Sequence, residues 1–183
     1  MVASAGNEGN SAIRFPASCE YSFSVSSTKF DEKRSSFSSF NNYVDIAAPG
    51  GQNSEDLDGN GRGDGVMAYS FKNSSYDGES YKGLQAYNGT SMAAPHVSAY
   101  FAILKYLQPD LTHAQLKDYL RSGNLTKDIG NPGKDDFYGY GLMNMEKGIT
   151  NVQNGISGDM LNYSFVEPDR LFLGYALSEK TFN

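Results

Sequence analysis

Ser91 and His96 lie five positions apart in the segment NGTSMAAPHV, at the start of a long apolar run. A serine hydroxyl becomes a nucleophile when a neighbouring imidazole takes its proton. The apolar run predicts a helix over residues 91–107, and five helical residues advance a side chain by about 500°. The two side chains would therefore project about 140° apart, so they cannot share a hydrogen bond. We interpret His96 as a core histidine, and nothing recommends His113, in the first turn of a helix expected to be exposed, as the base.

The position of Ser91 at a helix start is chemically useful all the same. Backbone N–H groups are unpaired in the first turn, and the helix dipole favours negative charge there. Gly89, two residues earlier, allows another backbone to approach closely. The alternative interpretation is that Ser91 only caps the helix, a role in which serine is common.

The acidic segment DLDGNGRGDG has the spacing of a calcium-binding loop. Gly61 would make the sharp turn at position 6, but Met67 occupies the position where such loops have glutamate. The alternative is a solvated acidic turn, with its charge partly offset by Arg62. The candidate ligands at positions 1, 3, 5 and 9 are Asp56, Asp58, Asn60 and Asp64.

Composition excludes several classes of function. The 183 residues carry a net charge of -6 and no cluster of Lys and Arg, which argues against nucleic acid or an anionic membrane as the main partner. The single cysteine, Cys19, rules out an internal disulfide and is interpreted as a small core residue. The longest apolar run is interrupted by Pro95, His96 and Ser98, so no membrane span is predicted.

The remaining patterns predict the elements that position these residues. Short apolar runs or alternation indicate strands at residues 1–5, in YSFSVSS with one buried face, in YVDIAAPG, in GVMAYSF and in LQAYNGT. The helix over residues 91–107 is apolar nearly all round, which predicts burial. Thr112 and Gln115 form a capping box for a second helix to about Arg121, and a short third helix is expected near residues 143–149. Together these elements indicate an α/β sheet covered by helices.

Several segments resemble the subtilisin-like serine proteases, the subtilases. NGTSMAAPHV resembles the nucleophile motif G-T-S-M-A-x-P-H, and VASAGNEG resembles the segment with the oxyanion-hole asparagine. FPASCEYSFSV, SSFSSF, VDIAAPG and YGYGLMNMEKG resemble further blocks, all in family order over about residues 2–149. The resemblance implies the subtilisin-like α/β fold, with a largely parallel sheet flanked by helices.

The resemblance also implies roles for individual residues. Ser91 would be the nucleophile, and the Asn7 side chain and the Ser91 backbone N–H would donate to the oxyanion. Structural Ca²⁺, protein or peptide substrates, and a secreted or cell-envelope location are implied in the same way. Substrate contacts would come from Ser4, Ala5, Gly6, Phe15, Pro16, Ala17, Gly89 and Thr90.

The departure from the family pattern is equally informative. The family's D-[ST]-G and H-G-T blocks, which carry the catalytic Asp and His, do not occur in this sequence. We therefore expect the C-terminal portion of a subtilase catalytic domain at residues 1–150, with the N-terminal part missing and the isolated chain inactive. Residues 151–183 are expected to form an extension, either a β-hairpin or the start of another domain. The rival interpretation is a non-catalytic calcium-binding or interaction module on a subtilase scaffold.

Overall fold

The computed structural model describes residues 1–73 and 80–155 of the chain. Seven strands and three helices occur within these residues. The strands are β1 (Val2–Ser4), β2 (Phe23–Thr28), β3 (Val44–Pro49), β4 (Val66–Asn73), β5 (Ser80–Tyr87), β6 (Thr126–Lys127) and β7 (Leu142–Met143). The helices are α1 (Thr90–Leu107), α2 (His113–Arg121) and α3 (Met145–Gly155).

The central sheet has the order β1-β2-β3-β7-β6 and is largely parallel. Strands β1, β2, β3 and β7 pair in parallel, and β6 joins β7 in the antiparallel direction. Strands β4 and β5 form a separate antiparallel hairpin. These observations confirm the α/β fold with a largely parallel sheet.

Strand β2 is buried along its whole length, whereas its alternating sequence predicts one buried face. Phe23 and Val25 join the hydrophobic core, and Ser24 and Ser26 on the alternate face are also buried. The physical reason is the interior position of β2, between β1 and β3 in the parallel part of the sheet, since parallel strands are usually covered on both faces. Small serine side chains allow close packing on the second face.

Helix α1 packs across β1, β2 and β3 through one face. Ala93, Val97 and Leu104 are fully buried there, together with Tyr100. The prediction that the helix is buried all round is wrong for this structure, because Ser98, Ala99 and Ala102 are exposed and Tyr106 is 74% exposed. The exposed residues include alanines and a tyrosine, which explains why hydrophobicity alone does not reveal a solvent-facing side.

Helix α2 begins as its sequence predicts. The Thr112 side chain accepts from the Gln115 backbone N–H, and the Gln115 side chain accepts from the Thr112 backbone N–H, so the capping box is complete. Lys117 on this helix reaches the sheet, where its Nζ lies 2.6 Å from Asp45 Oδ1. The second carboxylate oxygen of Asp45 accepts from Ser24 N at 2.8 Å, beside an irregularity in the β2–β3 register.

Helix α3 starts at Met145 and runs to Gly155, longer than the predicted segment. It crosses residue 150, and Val152 belongs to the core. Tyr100 donates to the carbonyls of Leu125 and Asn144, and a Cβ at Gly148 would overlap its hydroxyl. The expected extension lies mostly outside the described residues.

Two cross-strand partners in the β4–β5 hairpin are exposed, and so is Cys19. Tyr69 and Leu84 face each other across the hairpin and are 70% and 66% exposed. Cys19 is exposed rather than part of the core, contrary to the sequence-based interpretation. No helix in the described part of the chain is both long and apolar enough to cross a membrane.

Candidate active site

The candidate site lies where the carboxyl ends of two parallel strands meet the start of α1. Asn7 follows β1, and Gly50 follows β3. The Gly89 N–H donates to the Gly50 carbonyl at 2.9 Å, which attaches the segment before α1 to the end of β3. A Cβ at Gly50 would overlap Ser27 Oγ, so glycine is required for this close approach.

Asn7 is fixed through its side-chain oxygen. Its Oδ1 accepts from the backbone N–H of Thr90 and from the Thr90 hydroxyl, both at 2.9 Å. The Thr90 Oγ1 in turn accepts from the Gly6 N–H at 3.3 Å. Because the oxygen of the Asn7 amide is occupied, its Nδ2 is left available as a donor, and a Cβ at Gly89 would lie 3.5 Å from this nitrogen.

Ser91 is the second residue of α1, and its side chain is exposed. The N-cap is Gly89, whose φ is 155°, and no side chain caps the helix. The interpretation of Ser91 as an N-cap is therefore wrong. Since the positive end of the helix dipole lies in this first turn, negative charge developing beside Ser91 would be favoured.

Neither histidine of the chain is placed to act as a base for Ser91. His96 Nδ1 lies 2.7 Å from the Met92 carbonyl, one turn back along α1. His113 packs against the ring of Phe23, with ring centroids 4.6 Å apart, at the start of β2. Asn7, which contacts the residue before Ser91, follows the carboxyl end of the neighbouring parallel strand β1. His113 and Ser91 therefore lie at opposite ends of these strands.

The eight residues predicted to contact substrate differ in exposure. Phe15 is 77% exposed and Pro16 is exposed, but the side chain of Ala17 is buried. Thr90 is fully buried, so its hydroxyl positions Asn7 instead of facing solvent. Ser4 and Gly6 are partly buried, and Ala5 and Gly89 are buried.

The acidic loop brings together the three predicted carboxylates. One oxygen from each of Asp56, Asp58 and Asp64 lies within 4.8 Å of the others. The Asn60 side chain serves the loop itself, donating to Asp58 Oδ2 at 2.7 Å and accepting from the Arg62 N–H at 2.9 Å. Desolvation raises the pKa of Asp56, but hydrogen bonds, first from the Gly61 N–H, outweigh it and hold that pKa below its usual value.

The model of the subtilase family matches residues 1–141. This chain belongs to the subtilase family. Subtilisin BL of Lederbergia lenta is 32% identical over 146 residues, which are 80% of this chain and 44% of that protein. Minor extracellular protease Epr of Bacillus subtilis (strain 168) is 31% identical over 144 residues, 78% of this chain and 19% of that protein. The chain spans less than half the length of these two relatives.

A solved protease structure agrees with the fold. A protease from Pseudoalteromonas arctica has a TM-score of 0.65 and 29% sequence identity. The match covers 81% of this chain and 41% of that chain. The prediction of a subtilisin-like fold is confirmed.

Sequence reasoning missed the residues that support Asn7 in this subtilase. The contact between Asn7 and Thr90 joins residues 83 positions apart, and no local pattern indicates it. Ser39 likewise accepts from the Glu8 N–H at 3.2 Å and donates to the Glu8 carboxylate at 3.1 Å. The burial of Ser39 could not be predicted from its serine-rich segment, because it depends on the elements that pack over that segment.

Proposed function

We propose that this chain contributes the nucleophile and the oxyanion donors of a serine endopeptidase. The observation that carries the proposal is the Asn7 amide, oriented by two hydrogen bonds from Thr90, beside the exposed Ser91 at the start of α1. Membership of the subtilase family supports it.

In this proposal the Ser91 hydroxyl attacks the carbonyl carbon of a protein or peptide substrate and loses its proton to an imidazole. The resulting oxyanion accepts hydrogen bonds from Asn7 Nδ2 and the Ser91 N–H. Collapse of the tetrahedral intermediate expels the amine, which takes the proton, and leaves an acyl-enzyme on Ser91. Water then hydrolyses the ester.

The imidazole must come from residues other than these 183. His96 is bound to the Met92 carbonyl, and His113 lies across the sheet. We therefore propose that another segment, in the same gene or another chain, supplies the catalytic His and Asp. Alone, the chain is expected to hydrolyse no peptide bonds at a measurable rate, because an unactivated serine is a poor nucleophile.

A fusion tests the proposal. A segment with the family's D-[ST]-G and H-G-T blocks is joined ahead of residue 1, and the product is treated with a serine-directed phosphonate. We expect covalent labelling at Ser91, identified by peptide mass spectrometry, and none in the Ser91→Ala fusion or the unfused chain. Labelling at another serine, or no labelling of a folded fusion, would overturn the assignment.

Asn7 provides the second test. In the active fusion, Asn7→Asp keeps the oxygen that accepts from Thr90 but replaces the donor nitrogen. We expect kcat to fall by about 10²–10³-fold, a magnitude taken over from a subtilisin, with little change in KM. An unchanged kcat would show that Asn7 gives no hydrogen bond to the transition state.

We also propose that the acidic loop binds Ca²⁺ through the carboxylates of Asp56, Asp58 and Asp64. Their mutual approach supports this, because carboxylates repel one another unless a cation or solvent screens them. Asn60 is engaged within the loop, and Met67 lies in β4, so the site has fewer ligands than an EF-hand loop. The role expected for the ion is structural.

Calcium titration by calorimetry distinguishes this site from a solvated turn. We expect Ca²⁺ to bind and to raise the thermal midpoint, and Asp58→Asn to weaken binding about tenfold or more. Asp110→Asn, in the exposed connection between α1 and α2, is the matched control. If the chain bound calcium but the fusion did not react with the phosphonate, the rival function, a non-catalytic calcium-binding module, would be favoured.

A secreted or cell-envelope location is the last element of the proposal. It is supported by the relative named as a minor extracellular protease. Detection of the native protein in the culture medium or envelope fraction would test it, and recovery only from the cytoplasmic fraction would contradict it.

A further inference from the structure

A small cavity opens between the C-terminal end of α2, the glycine-rich loop at residues 130–133 and α3. Its volume is about 130 Å³, well below the roughly 300–1,000 Å³ of pockets that enclose drug-sized ligands. Three cationic side chains line it, from Arg121, Lys134 and Lys147, and Asp128 contributes the one carboxylate among its lining residues, all within the described part. The cavity is therefore both small and positively charged.

The positive charges of the two lysines are not neutralised within the cavity. Lys134 Nζ donates to the Asn42 carbonyl at 2.6 Å, and Lys147 Nζ donates to the Thr126 carbonyl at 3.1 Å. Carbonyl oxygens orient an ammonium group but carry no net charge. Lys134 Nζ also lies 5.4 Å from the centroid of the Tyr140 ring. The two lysines are thus held in place by neutral partners, which do not cancel their charges.

The remaining charges leave the cavity positive. Arg121 pairs with Asp118, but both side chains are more than 60% exposed, and such pairs are weak in water. Asp128 gives one carboxylate oxygen to the Gly133 N–H at 2.9 Å. Three cations and one carboxylate line the walls, and Asp118 beside Arg121 offsets one more positive charge. One net positive charge remains, in a protein whose net charge is -6.

The C-terminal end of α2 would repel an anion if its carbonyls were free. The carbonyls of Asp118, Tyr119 and Leu120 instead accept from the backbone N–H groups that follow the helix. The Ser122 hydroxyl also donates to the Asp118 carbonyl at 2.9 Å. The last turn therefore presents capped acceptors beside Arg121, which reduces the repulsion.

We propose that this cavity is a binding site for a small divalent oxyanion, phosphate or sulfate, held by Arg121, Lys134 and Lys147. The planar guanidinium can donate to two oxygens at once, and the two ammonium groups supply point charges. A bound anion would connect α2, the glycine-rich loop and α3. The site is independent of Ser91 and does not rest on the proposed proteolytic function.

Binding to the full chain is measured by calorimetry with sodium phosphate, and the thermal midpoint is followed in parallel. Sodium chloride at equal ionic strength is the reference. We expect phosphate to bind at one site and to raise the midpoint in a saturable manner. O-phosphoserine distinguishes a free ion from a phosphoryl group on a larger molecule, and the small volume predicts weaker binding of the ester.

Two variants test the residues, with a matched control. Lys147→Gln and Arg121→Gln are each expected to weaken phosphate binding about tenfold or more, since each removes a charge-assisted hydrogen bond. Lys33→Gln removes one exposed positive charge outside the cavity and should leave the affinity unchanged. Calorimetry well below each variant's thermal midpoint separates binding from any loss of stability.

The proposal is overturned by either of two results. One is equal stabilisation by phosphate and chloride, with no heat of phosphate binding. The other is an equal loss of affinity in Lys33→Gln and Lys147→Gln, because this would indicate general attraction to the surface instead of a defined site.

Discussion

The Thr90 hydroxyl has two hydrogen-bond partners next to Ser91, the proposed nucleophile, so Thr90 is the first residue that we would change. It donates to Asn7 Oδ1 and accepts from the Gly6 N–H while fully buried. Thr90→Val keeps the shape of the side chain but removes both hydrogen bonds. We expect the free energy of unfolding to fall by about 1–3 kcal/mol, because the Gly6 N–H and Asn7 Oδ1 each lose one hydrogen bond, and a protein hydrogen bond contributes about 0.5–1.5 kcal/mol. Urea denaturation measures the change.

Thr90→Ser is the control for this prediction. Serine keeps the hydroxyl and loses only a methyl group, so it should destabilise less than valine. If the valine variant were as stable as the wild type, the contact between Asn7 and Thr90 would not be important for the fold.

His113 makes the stability of the chain depend on pH. Burial, then the positive charges of Lys117 and the terminal amino group, lower its pKa from the ordinary value of 6.5, while Asp45 partly opposes them. Its Nε2 is buried without a hydrogen-bond partner among the described residues. A lowered pKa in the folded state means that protons bind more tightly to the unfolded chain.

His113 therefore makes its full contribution to the free energy of unfolding above about pH 6.5. This contribution is lost as the pH falls through the lower pKa of the folded state. Urea denaturation at several values between about pH 7 and pH 5 measures this slope. We expect a flatter profile in His113→Gln, which does not titrate. An identical slope in the variant would assign the pH dependence to other groups.

For individual residues of the candidate site, sequence analysis predicts their positions in the chain but not their hydrogen-bond partners. Ser91 is predicted at the start of a helix because the apolar run after it is a local pattern. The approach of Asn7 to Thr90 depends on how β1 and α1 pack, and residues so far apart share no spacing rule. The family resemblance supplies Asn7 as a candidate, while its anchoring is visible only in the structure.

Between elements, one ion pair joins α2 to the sheet. Lys117 and Asp45 have side chains only 14% and 10% exposed, and Lys117 Nζ also lies 4.7 Å from the centroid of the Phe23 ring. Lys117→Met would leave the Asp45 carboxylate almost buried, with the Ser24 N–H as its one remaining partner among the described residues. We expect a loss of about 3 kcal/mol in the free energy of unfolding, measured by urea denaturation.

The double variant Asp45→Asn with Lys117→Met provides the comparison. An amide oxygen can still accept from Ser24, and no uncompensated charge remains, so the double variant should be more stable than Lys117→Met alone. Equal stability of the two variants would indicate that water reaches Asp45 and that the pair contributes little.

Elements that depend on local chemistry are predicted most closely. The capping box fixes the start of α2, and alternation locates β2. The burial of the second face of β2 and the exposed side of α1 could not be predicted, because both depend on which neighbours cover an element. Hydrophobic periodicity reports the composition of a face and not what lies against it.

For the molecule as a whole, the hairpin of β4 and β5 is expected to be a separate unit of stability. Its strands pair only with each other among the described residues. Tyr69 and Leu84 are largely exposed, and Met67 is half exposed. Its backbone is held to the preceding loop by Asn53, which donates to the Ala86 carbonyl at 3.0 Å. Two-stranded hairpins are marginally stable on their own.

Native-state hydrogen exchange tests this division. We expect amides of β2 and β3 to exchange only through global unfolding, and amides that pair β4 with β5 to exchange at a free energy lower by several kcal/mol. Equal free energies in both groups, within about 1 kcal/mol, would mean that the hairpin unfolds together with the central sheet.

Tyr100 gives the core an optical signal of its own. Its phenol is enclosed between two carbonyls, and burial raises its pKa well above the ordinary value of 10.0. A raised pKa stabilises the folded chain below about pH 10 and is a source of alkaline denaturation above it. In a protein without tryptophan, near-ultraviolet absorbance reports tyrosinate, and one of the 13 tyrosines should ionise only as the chain unfolds. Tyr100→Phe should abolish the increase in tyrosinate absorbance that accompanies unfolding. If the wild-type chain instead ionised all its tyrosines before it unfolded, hydroxide would reach the core of the folded chain.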